Sequence, residues 1–232
     1  MLGEEAERLE ALRFQSQHDD RTRLMTRTQF LRRVESALAR EDEQAGGTLV
    51  IARVGDIASL NRQHGRPVVD DLLRALGHHL LHLASSRPDW EAGRLNGTDF
   101  ALLATGEDDA TGLAKRVQAV IEEALALAGD GTRLEVAFPL GACAFSPGTA
   151  LKSLLARTDG ALAIAEQAGA RAISVADPDR PSLAHTDLAG WRQAIEGALQ
   201  AGGMQLGRFP VVDTTGELLH FEAPVRLAMD GG

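Results

Sequence analysis

Two kinds of reactive side chain stand out in this chain, a histidine pair and a single cysteine. His78 and His82 are four residues apart in a predicted helix, a spacing that places two imidazoles on one face, as some metal sites require. No third ligand is evident nearby, so we expect these two histidines and the adjacent His79 to face solvent. Cys143 lies in the apolar run VAFPLGACAF, which predicts a small core residue rather than a nucleophile.

A third candidate for chemistry is the segment GRLNGTDFALL, residues 93–103. Its Asn-Gly pair accepts the positive φ angles that a two-residue type I′ turn needs, and the flanking apolar residues predict a β-hairpin. Asp99 places one carboxylate beside this turn. The pattern is typical either of an ordinary turn or of a catalytic turn that has lost part of its acidic residues.

The elements that must position these residues alternate along the chain. Apolar residues at helical spacing predict helices, and short apolar runs bounded by polar residues predict strands. The predicted helices cover 26–40, a segment from about 67, 110–128 and 150–169, and the predicted strands cover 48–54, 134–145 with a bend at Pro139, and 170–176. This order predicts an α/β fold in which helices flank a mixed central sheet, with the hairpin at a central position.

Composition excludes several classes of protein. The chain has 232 residues, of which 44% are hydrophobic and 25% charged, so we expect a packed core. A net charge of −9 argues against nucleic acid as a partner, because such proteins present basic surfaces. The sequence has no apolar run of the roughly 20 residues that span a membrane, and its N-terminus is acidic. We expect a cytoplasmic location, either free or as the cytoplasmic part of a membrane-anchored receptor.

The two ends of the chain predict further segments. Residues 1–17 form a predicted helix with Leu2, Leu9 and Leu12 at heptad spacing, which indicates either a solvated leader or a signalling coiled coil that pairs two chains into a homodimer. The segment 178–185 is predicted to be a linker. Residues 186–232 predict one helix and a strand-turn-strand, too little for a separate core, so we expect them to begin a second domain.

Four motifs, in order and at matching spacing, resemble those of the GGDEF domain of cyclic-di-GMP signalling proteins, over residues 18–177. They are HDDRTRLMTRTQF, SLNRQHGRPVVDDLLRAL, RLNGTDFALL and TDGALAIAEQAGA. The resemblance implies a nucleotidyl-cyclase-like fold. It also implies the family's reaction, in which two GTP molecules held on two subunits are joined while metal ions neutralise the phosphates.

The resemblance also shows where this chain departs from the family. The family's metals are held by carboxylates from the first strand and from the third residue of the hairpin motif, and these positions are Arg53 and Thr98 here. A guanidinium in place of a carboxylate turns attraction into repulsion, a swing of about 10 kcal/mol as an upper bound at ~4 Å and an effective dielectric of ~20. The phosphate-contacting lysine of the last helix is Glu166.

The remaining catalytic positions are altered as well. The first glycine of the hairpin motif is Asn96, and the second carboxylate of the strand motif is Gly55, with Asp56 one place away. One acidic group is kept, at the position of the motif's glutamate. The degenerate site as a whole comprises Arg53, Gly55, Asn96, Gly97, Thr98, Asp99 and Glu166, and we expect no catalytic residue, metal or cofactor in it.

Of two binding sites known in the family, this sequence keeps the residues of one and lacks a residue of the other. Asn61 and Asp70 match the residues that read the guanine base, so GTP could bind without turnover; the alternative is a helix cap and an exposed helix residue. The inhibitory R-x-x-D motif reads Arg87-Pro88-Asp89-Trp90. Since Trp90 stands where the aspartate belongs, we expect this site to be absent.

The C-terminal segment resembles the start of an EAL domain. Glu222 and Ala223 match the signature, Pro224 stands where leucine is usual, and Arg226 matches an arginine that contacts the dinucleotide phosphate in that family. The phosphodiesterase carboxylates of later EAL strands do not occur in these residues. The fragment is therefore not expected to hydrolyse cyclic-di-GMP.

These observations favour a non-catalytic GGDEF module that relays a signal to an attached EAL domain, similar to degenerate receptors of the LapD type that bind cyclic-di-GMP. Two alternatives stay open. One is an active diguanylate cyclase with an unusual site, which would use Mg²⁺, and the other is a GTP-binding regulator of an attached phosphodiesterase.

Overall fold

A computed structural model describes residues 17–42, 46–127, 134–177, 192, 195–197, 199–200, 202–212, 217–223 and 225–227. The chain divides into two compact units, Met1–Ser182 and Leu183–Gly232. Residues 1–16 of the predicted signalling helix and the predicted linker at 178–185 lie outside the described residues.

The first unit alternates helices and strands as predicted. Its elements are β1 (Met25–Thr26), α1 (Arg27–Leu38), β2 (Gly47–Arg53), α2 (Ile57–His64), α3 (Arg66–Ala84), β3 (Trp90–Arg94), β4 (Asp99–Thr105), α4 (Ala110–Leu127), β5 (Leu140–Phe145), α5 (Leu151–Ala168) and β6 (Ile173–Ala176).

Helix α2 was not predicted, because its sequence is short and mostly polar. It is fixed by local chemistry: the Asp56 carboxylate accepts a hydrogen bond from the backbone N–H of Ser59 at 2.8 Å, and so caps the helix start. Gly65, at φ +84°, then separates α2 from α3, whose first turn contains Pro67.

The strands form one six-stranded mixed sheet in the order β1-β3-β4-β2-β5-β6. Strand β2 is antiparallel to both β4 and β5, while β1–β3 and β5–β6 are parallel pairs. The mixed sheet flanked by helices is confirmed, and the β3–β4 hairpin lies inside the sheet as predicted.

Alternation along β2 decides where its last side chain points. Val50 and Ala52 belong to the core cluster that contains the α3 and α4 residues, whereas Leu49 and Ile51 belong to the cluster with α1 and α5. Since successive strand residues point to opposite faces, Arg53 lies on the α1/α5 face. In β4, Asp99 shares that face with Ala101 and Leu103, and the backbones of Arg53 and Asp99 pair directly.

Strand β5 is shorter than predicted, because it begins only after Pro139. Proline has no backbone N–H to give to a ladder. The segment before it makes single hydrogen bonds instead: the carbonyl of Pro139 accepts from the backbone N–H of Arg53 at 3.1 Å, and that of Ala137 accepts from Gly55 at 2.7 Å.

The interior of helix α5 contains a glycine that packing does not require. A Cβ added at Gly160 would meet no atom within 4 Å. We therefore expect Gly160→Ala to raise the free energy of unfolding by about 0.8 kcal/mol, because alanine loses less backbone entropy in a helix. Urea unfolding followed by circular dichroism measures this change, and a loss of stability would show that α5 is packed more tightly at this point.

The second unit contains four short strands, β7 (Met204–Leu206), β8 (Phe209–Val212), β9 (Leu218–Glu222) and β10 (Val225–Leu227). They form two antiparallel pairs, β7–β10 and β8–β9, so each predicted strand is interrupted. The described residues between 192 and 200 are helical, in agreement with the predicted helix. Several large apolar side chains of this unit are exposed: Leu206, Phe209, Leu218, Leu219, Phe221 and Val225.

In the part of the chain that the structure describes, no helix combines the length and the apolar character needed to cross a membrane.

Candidate functional site

The hairpin loop differs from the predicted turn. The backbone N–H of Leu95 donates to the carbonyl of Asp99 at 2.8 Å, which leaves three residues at the tip. Neither Asn96 nor Gly97 has a positive φ, so the predicted type I′ turn is wrong. The Asn96 side chain organises the tip instead, because its Oδ1 accepts the backbone N–H groups of Thr98 and Asp99, each at 2.8 Å.

An arginine at the end of β2 joins three elements of the fold. Arg53 Nε and Nη2 donate to the two carboxylate oxygens of Asp99, both at 2.8 Å, in a bidentate pair. Its Nη1 donates to Glu166 Oε1, on α5, at 2.9 Å. Strand β2, the hairpin and helix α5 are therefore tied together by one guanidinium.

The hairpin completes the coordination of Asp99. Asn96 Nδ2 donates to Asp99 Oδ2 at 2.8 Å, and the Thr98 hydroxyl donates to Oδ1 at 3.0 Å. Together with the two bonds from Arg53, these contacts use the four acceptor positions of the carboxylate. The side chain of Asp99 is only 8% exposed, so the hydrogen bonds are what makes its burial tolerable.

The protonation states at this site are fixed by the same contacts. Burial would raise the pKa of Asp99, but hydrogen bonds from Arg53 and Asn96, together with the arginine's charge, lower that pKa below its usual value. The hydrogen bond to Asp99 raises the pKa of Arg53 despite its partial burial. At neutral pH the carboxylate and the guanidinium are both charged.

The resemblance implies divalent metal here, and the residues do not fit one. By that resemblance Thr98 and Arg53 stand where metal-binding carboxylates would be expected, and Arg53 directs its three N–H-bearing nitrogens toward Asp99 and Glu166. Asp56, which neighbours the missing carboxylate at Gly55, is engaged as the cap of α2. A hard cation would therefore meet a guanidinium and a neutral hydroxyl in place of two carboxylates.

We call the contacts of Arg53 with Asp99 and Glu166 the Arg53 network. A cleft of about 320 Å³ lies beside this network, on the α1/α5 face of the sheet. Its polar wall contains Arg53, Asp99 and Glu166, and its apolar wall includes Leu31 and Leu155. The sequence did not predict this cleft, because its walls come from α1, β2, the hairpin and α5.

Arg94 is a site residue that the sequence motifs did not single out. Its Nη1 bonds Asp19 Oδ1 at 3.1 Å, and its Nη2 and Nε bond the carbonyls of Gly97 at 2.8 Å and Asn96 at 3.1 Å. These contacts attach the hairpin tip to the start of the described chain. The sequence contains one indication of this contact, which is that Arg94 and Asp19 both lie within family motifs. Because the two residues are 75 positions apart, no local sequence pattern predicts that they meet.

The two predicted base-reading residues lie on neighbouring helices, Asn61 on α2 and Asp70 on α3. Asp70 Oδ1 forms an ion pair with Arg21 Nη1 at 2.8 Å. A guanine base would have to compete with Arg21 for this carboxylate.

The segment Arg87–Trp90, which aligns with the family's inhibitory motif, has its last two side chains engaged in contacts within the protein. Trp90, at the aspartate position, is 5% exposed and packs in the core with the Arg116 guanidinium 5.1 Å from its ring. The adjacent Asp89 accepts from Arg40 Nη1 at 3.1 Å. The structure thus gives Trp90 a packing role and pairs Asp89 with Arg40, just after the end of α1.

The remaining predicted residues have other environments: His78 and His82 are exposed as predicted, whereas the side chain of His79 is only 16% exposed and its Nδ1 lies 3.5 Å from Glu123 Oε2. No group of three or more His, Cys, Asp or Glu side chains is placed to hold a metal among the described residues. Cys143 is fully buried in the core, where its thiol donates to the carbonyl of Ala144. In the second unit, Glu222 ends β9 and is exposed, Ala223 follows it, and Arg226 lies in β10.

Comparison with solved structures places the fold. The chain is similar to Vibrio cholerae LapD S helix-GGDEF-EAL bound to c-di-GMP (TM-score 0.68, 18% identity), covering 100% of this chain and 54% of that one. It is similar to the coiled coil and GGDEF domain of DgcB from Caulobacter crescentus in complex with c-di-GMP (TM-score 0.66, 22% identity), covering 75% of this chain and 93% of that one.

A third similar structure is the diguanylate cyclase SiaD in complex with its activator SiaC from Pseudomonas aeruginosa (TM-score 0.63, 23% identity), covering 75% of this chain and 67% of that one. At these identities the likeness establishes the fold. A comparison with curated proteins gives no match. The sequence profile of the family described as diguanylate cyclase, GGDEF domain, matches residues 16–172, more than half of the chain, and the chain therefore belongs to the GGDEF domain family.

Proposed function

We propose that this chain is the non-catalytic GGDEF module of a bacterial cyclic-di-GMP signalling protein, and that it relays a signal to an attached EAL domain. The observation that carries the proposal is the contact of Arg53 with Asp99 and Glu166. Arg53 and Glu166 are the two positions whose charge is reversed relative to the family. Arg53 Nη1 lies 2.9 Å from Glu166 Oε1, so the two reversed charges compensate each other.

This compensation opposes catalysis in two ways. A metal-bound triphosphate would first have to break the hydrogen bonds of Arg53, each of which joins charged groups and is worth about 1.5–3 kcal/mol. It would then meet Arg53 where the metal should be and Glu166 where a lysine should contact phosphate. The site supports the fold by joining β2 to α5, and it lacks the charges that phosphoryl transfer needs.

The proposed arrangement in the full-length protein follows from the order of the segments. Residues 1–17 would pair two chains as a signalling helix, 18–177 would form the degenerate GGDEF domain, 178–185 would link it, and 186–232 would begin the EAL domain with Glu222, Ala223 and Arg226. The similar LapD structure is described as S helix-GGDEF-EAL, and this chain spans 54% of it. We infer a LapD-type receptor on the cytoplasmic side of the membrane, with cyclic-di-GMP as the ligand of its EAL domain.

Incubation of the purified chain with GTP and either Mg²⁺ or Mn²⁺ tests the catalytic part of the proposal. We expect all GTP to be recovered and no cyclic-di-GMP to be detected by chromatography, while an active diguanylate cyclase assayed in parallel forms it. Cyclic-di-GMP at a rate above that of the protein-free blank would establish the alternative of an active cyclase and overturn the proposal.

Calorimetry with GTP tests the alternative of a GTP-binding regulator. Because Arg21 already pairs with Asp70, we expect no saturable heat from the wild-type chain and none from Asp70→Ala. A heat that disappears in Asp70→Ala would show that the base-reading pair is in use.

The relay itself is tested by deleting residues 1–17 from the full-length protein, which should change the affinity of its EAL domain for cyclic-di-GMP.

A further inference from the structure

The cleft beside the Arg53 network contains two charged side chains that the network does not use. Arg27, at the start of α1, and Asp159, in the middle of α5, both line it and are both exposed. Within the described residues, neither side chain has a hydrogen-bond or ion-pair partner, so they are separated by more than the 4.0 Å of a salt bridge. Burial raises the pKa of Asp159, and of the charges that act on it those of Arg53 and Arg27 favour the carboxylate while that of Asp99 opposes it.

The other charged groups of the cleft are committed to one another. Asp99 accepts four hydrogen bonds, and Arg53 donates to Asp99 and Glu166. A ligand that used these groups would first have to break the network. A ligand that used Arg27 and Asp159 would meet two groups that have no hydrogen-bond or ion-pair partner among the described residues, a guanidinium that can donate hydrogen bonds and a carboxylate that can accept them.

The rest of the cleft wall restricts the size and character of such a ligand. Leu31, Leu155 and Ala163 line it, so the space between the two charged groups is partly apolar. Its volume of about 320 Å³ is at the lower end of the range of small-molecule sites. A compact molecule with a short aliphatic group fits these limits.

We propose that this cleft binds a small zwitterion of the aliphatic α-amino acid class. The carboxylate of the ligand pairs with the Arg27 guanidinium, its ammonium group pairs with Asp159, and its aliphatic side chain packs on Leu31 and Leu155. A zwitterion satisfies both free groups and leaves the net charge of the cleft unchanged. The inference rests on the proposed function, because a catalytic site would reserve the neighbouring residues for metal and triphosphate.

The experiment uses the full chain and three probes of matched shape: L-leucine, 4-methylpentanoate, which lacks the ammonium group, and 3-methylbutylamine, which lacks the carboxylate. Saturation-transfer NMR detects binding, and calorimetry measures its affinity. We expect leucine to bind about fivefold more tightly than either single-charge probe, because Arg27 and Asp159 are exposed and water screens an exposed ion pair.

Variants identify the two anchoring residues. Arg27→Gln and Asp159→Asn should each weaken leucine binding by about fivefold, and the exposed control substitutions Arg32→Gln and Asp108→Asn should leave it unchanged. Circular dichroism confirms that each variant is folded. Failure of leucine to bind, equal binding of the amine or the carboxylate alone, or an unchanged affinity in Arg27→Gln would each overturn the proposal.

The cyclic-di-GMP assay separates this outcome from that of the proposed function. Absence of both leucine binding and cyclic-di-GMP synthesis would overturn only the ligand proposal. Synthesis of cyclic-di-GMP would overturn the proposed function, and the ligand proposal with it.

Discussion

Replacing Arg53 with aspartate is expected to make the stability of the chain depend on divalent cations. The substitution removes the guanidinium that neutralises Asp99 and Glu166, and places a third carboxylate among them. Three carboxylates in one partly buried site repel one another, and Mg²⁺ or Mn²⁺ with oxygen ligands relieves that repulsion. The wild-type chain already satisfies these acids with Arg53, so it gains nothing from the cation.

The expected size of the effect follows from binding linkage. A free cation at about 100 times its dissociation constant stabilises the folded state by about 2.7 kcal/mol. For a domain of this size, each kcal/mol raises Tm by about 2–4 °C. Thermal unfolding of Arg53→Asp should therefore shift upward by about 5–10 °C when a saturating concentration of Mn²⁺ is added, with the wild-type Tm unchanged.

The matched control is Arg53→Gln, which removes the positive charge without adding a carboxylate. In the absence of metal it should be less stable than wild type but more stable than the aspartate variant, because it adds no third carboxylate, and it should show a much smaller response to Mn²⁺. If wild type and Arg53→Asp respond equally to the cation, then the charge at position 53 does not decide metal binding, and the central argument for a non-catalytic site is wrong.

The fold could be predicted from sequence because its signals are local. Apolar residues at helical spacing placed α3 and α4, and the run TLVIARV placed β2, since periodicity reports which residues face the core. Two errors arose where local signals mislead. Helix α2 depends on the Asp56 cap more than on an apolar stripe, and the turn at Asn96-Gly97 is set by the amide of Asn96 rather than by positive φ angles.

The candidate site could be predicted only in part, for a physical reason. By the resemblance, Arg53, Asp99 and Glu166 each differ from the family pattern; the changes at Arg53 and Glu166 suggest the loss of a function, while Asp99 keeps one acidic group. The sequence does not show that the three side chains meet, because Arg53 is 46 residues from Asp99 and 113 from Glu166. Only the packing of β2, the hairpin and α5 reveals that the altered charges form one neutralising network.

The Arg53 network gives the altered residues a structural role, because Arg53 neutralises the buried carboxylate of Asp99. Had the acids simply been lost, the remaining Asp99 would be a buried carboxylate without a counter-charge, which is costly. Arg53 instead supplies the counter-charge from within the chain, where the family uses an external cation. The same contacts connect strand β2, the hairpin and helix α5, and under the proposed function a relay of conformational change would depend on that connection.

Replacing Asp99 with asparagine is expected to lower the free energy of unfolding by about 2 kcal/mol at pH 7, because the ionic hydrogen bonds from Arg53 become neutral ones. The lower part of the usual range for charged hydrogen bonds applies, since Arg53 is 39% exposed and water screens its charge. Asp108→Asn, at an exposed position, is the matched control and should change stability little.

The loss should also depend on pH, with a definite sign. The pKa of Asp99 is lowered in the folded chain, so its ionised form stabilises folding above the unfolded value of about 3.9. That contribution disappears as the pH falls through the folded pKa. The difference between wild type and Asp99→Asn should therefore be full at pH 7 and pH 5.5 and shrink below about pH 4.

Urea unfolding at several pH values measures this difference. Trp90 is buried in β3 and reports on the sheet, and substitution of the second tryptophan, Trp191→Phe, makes its fluorescence the sole indole signal. Equal losses at pH 7 and pH 3 would mean that Asp99 acts through shape alone. A loss that fades with acid would mean that the charge pair with Arg53 holds the hairpin to the sheet, as the geometry of the site requires.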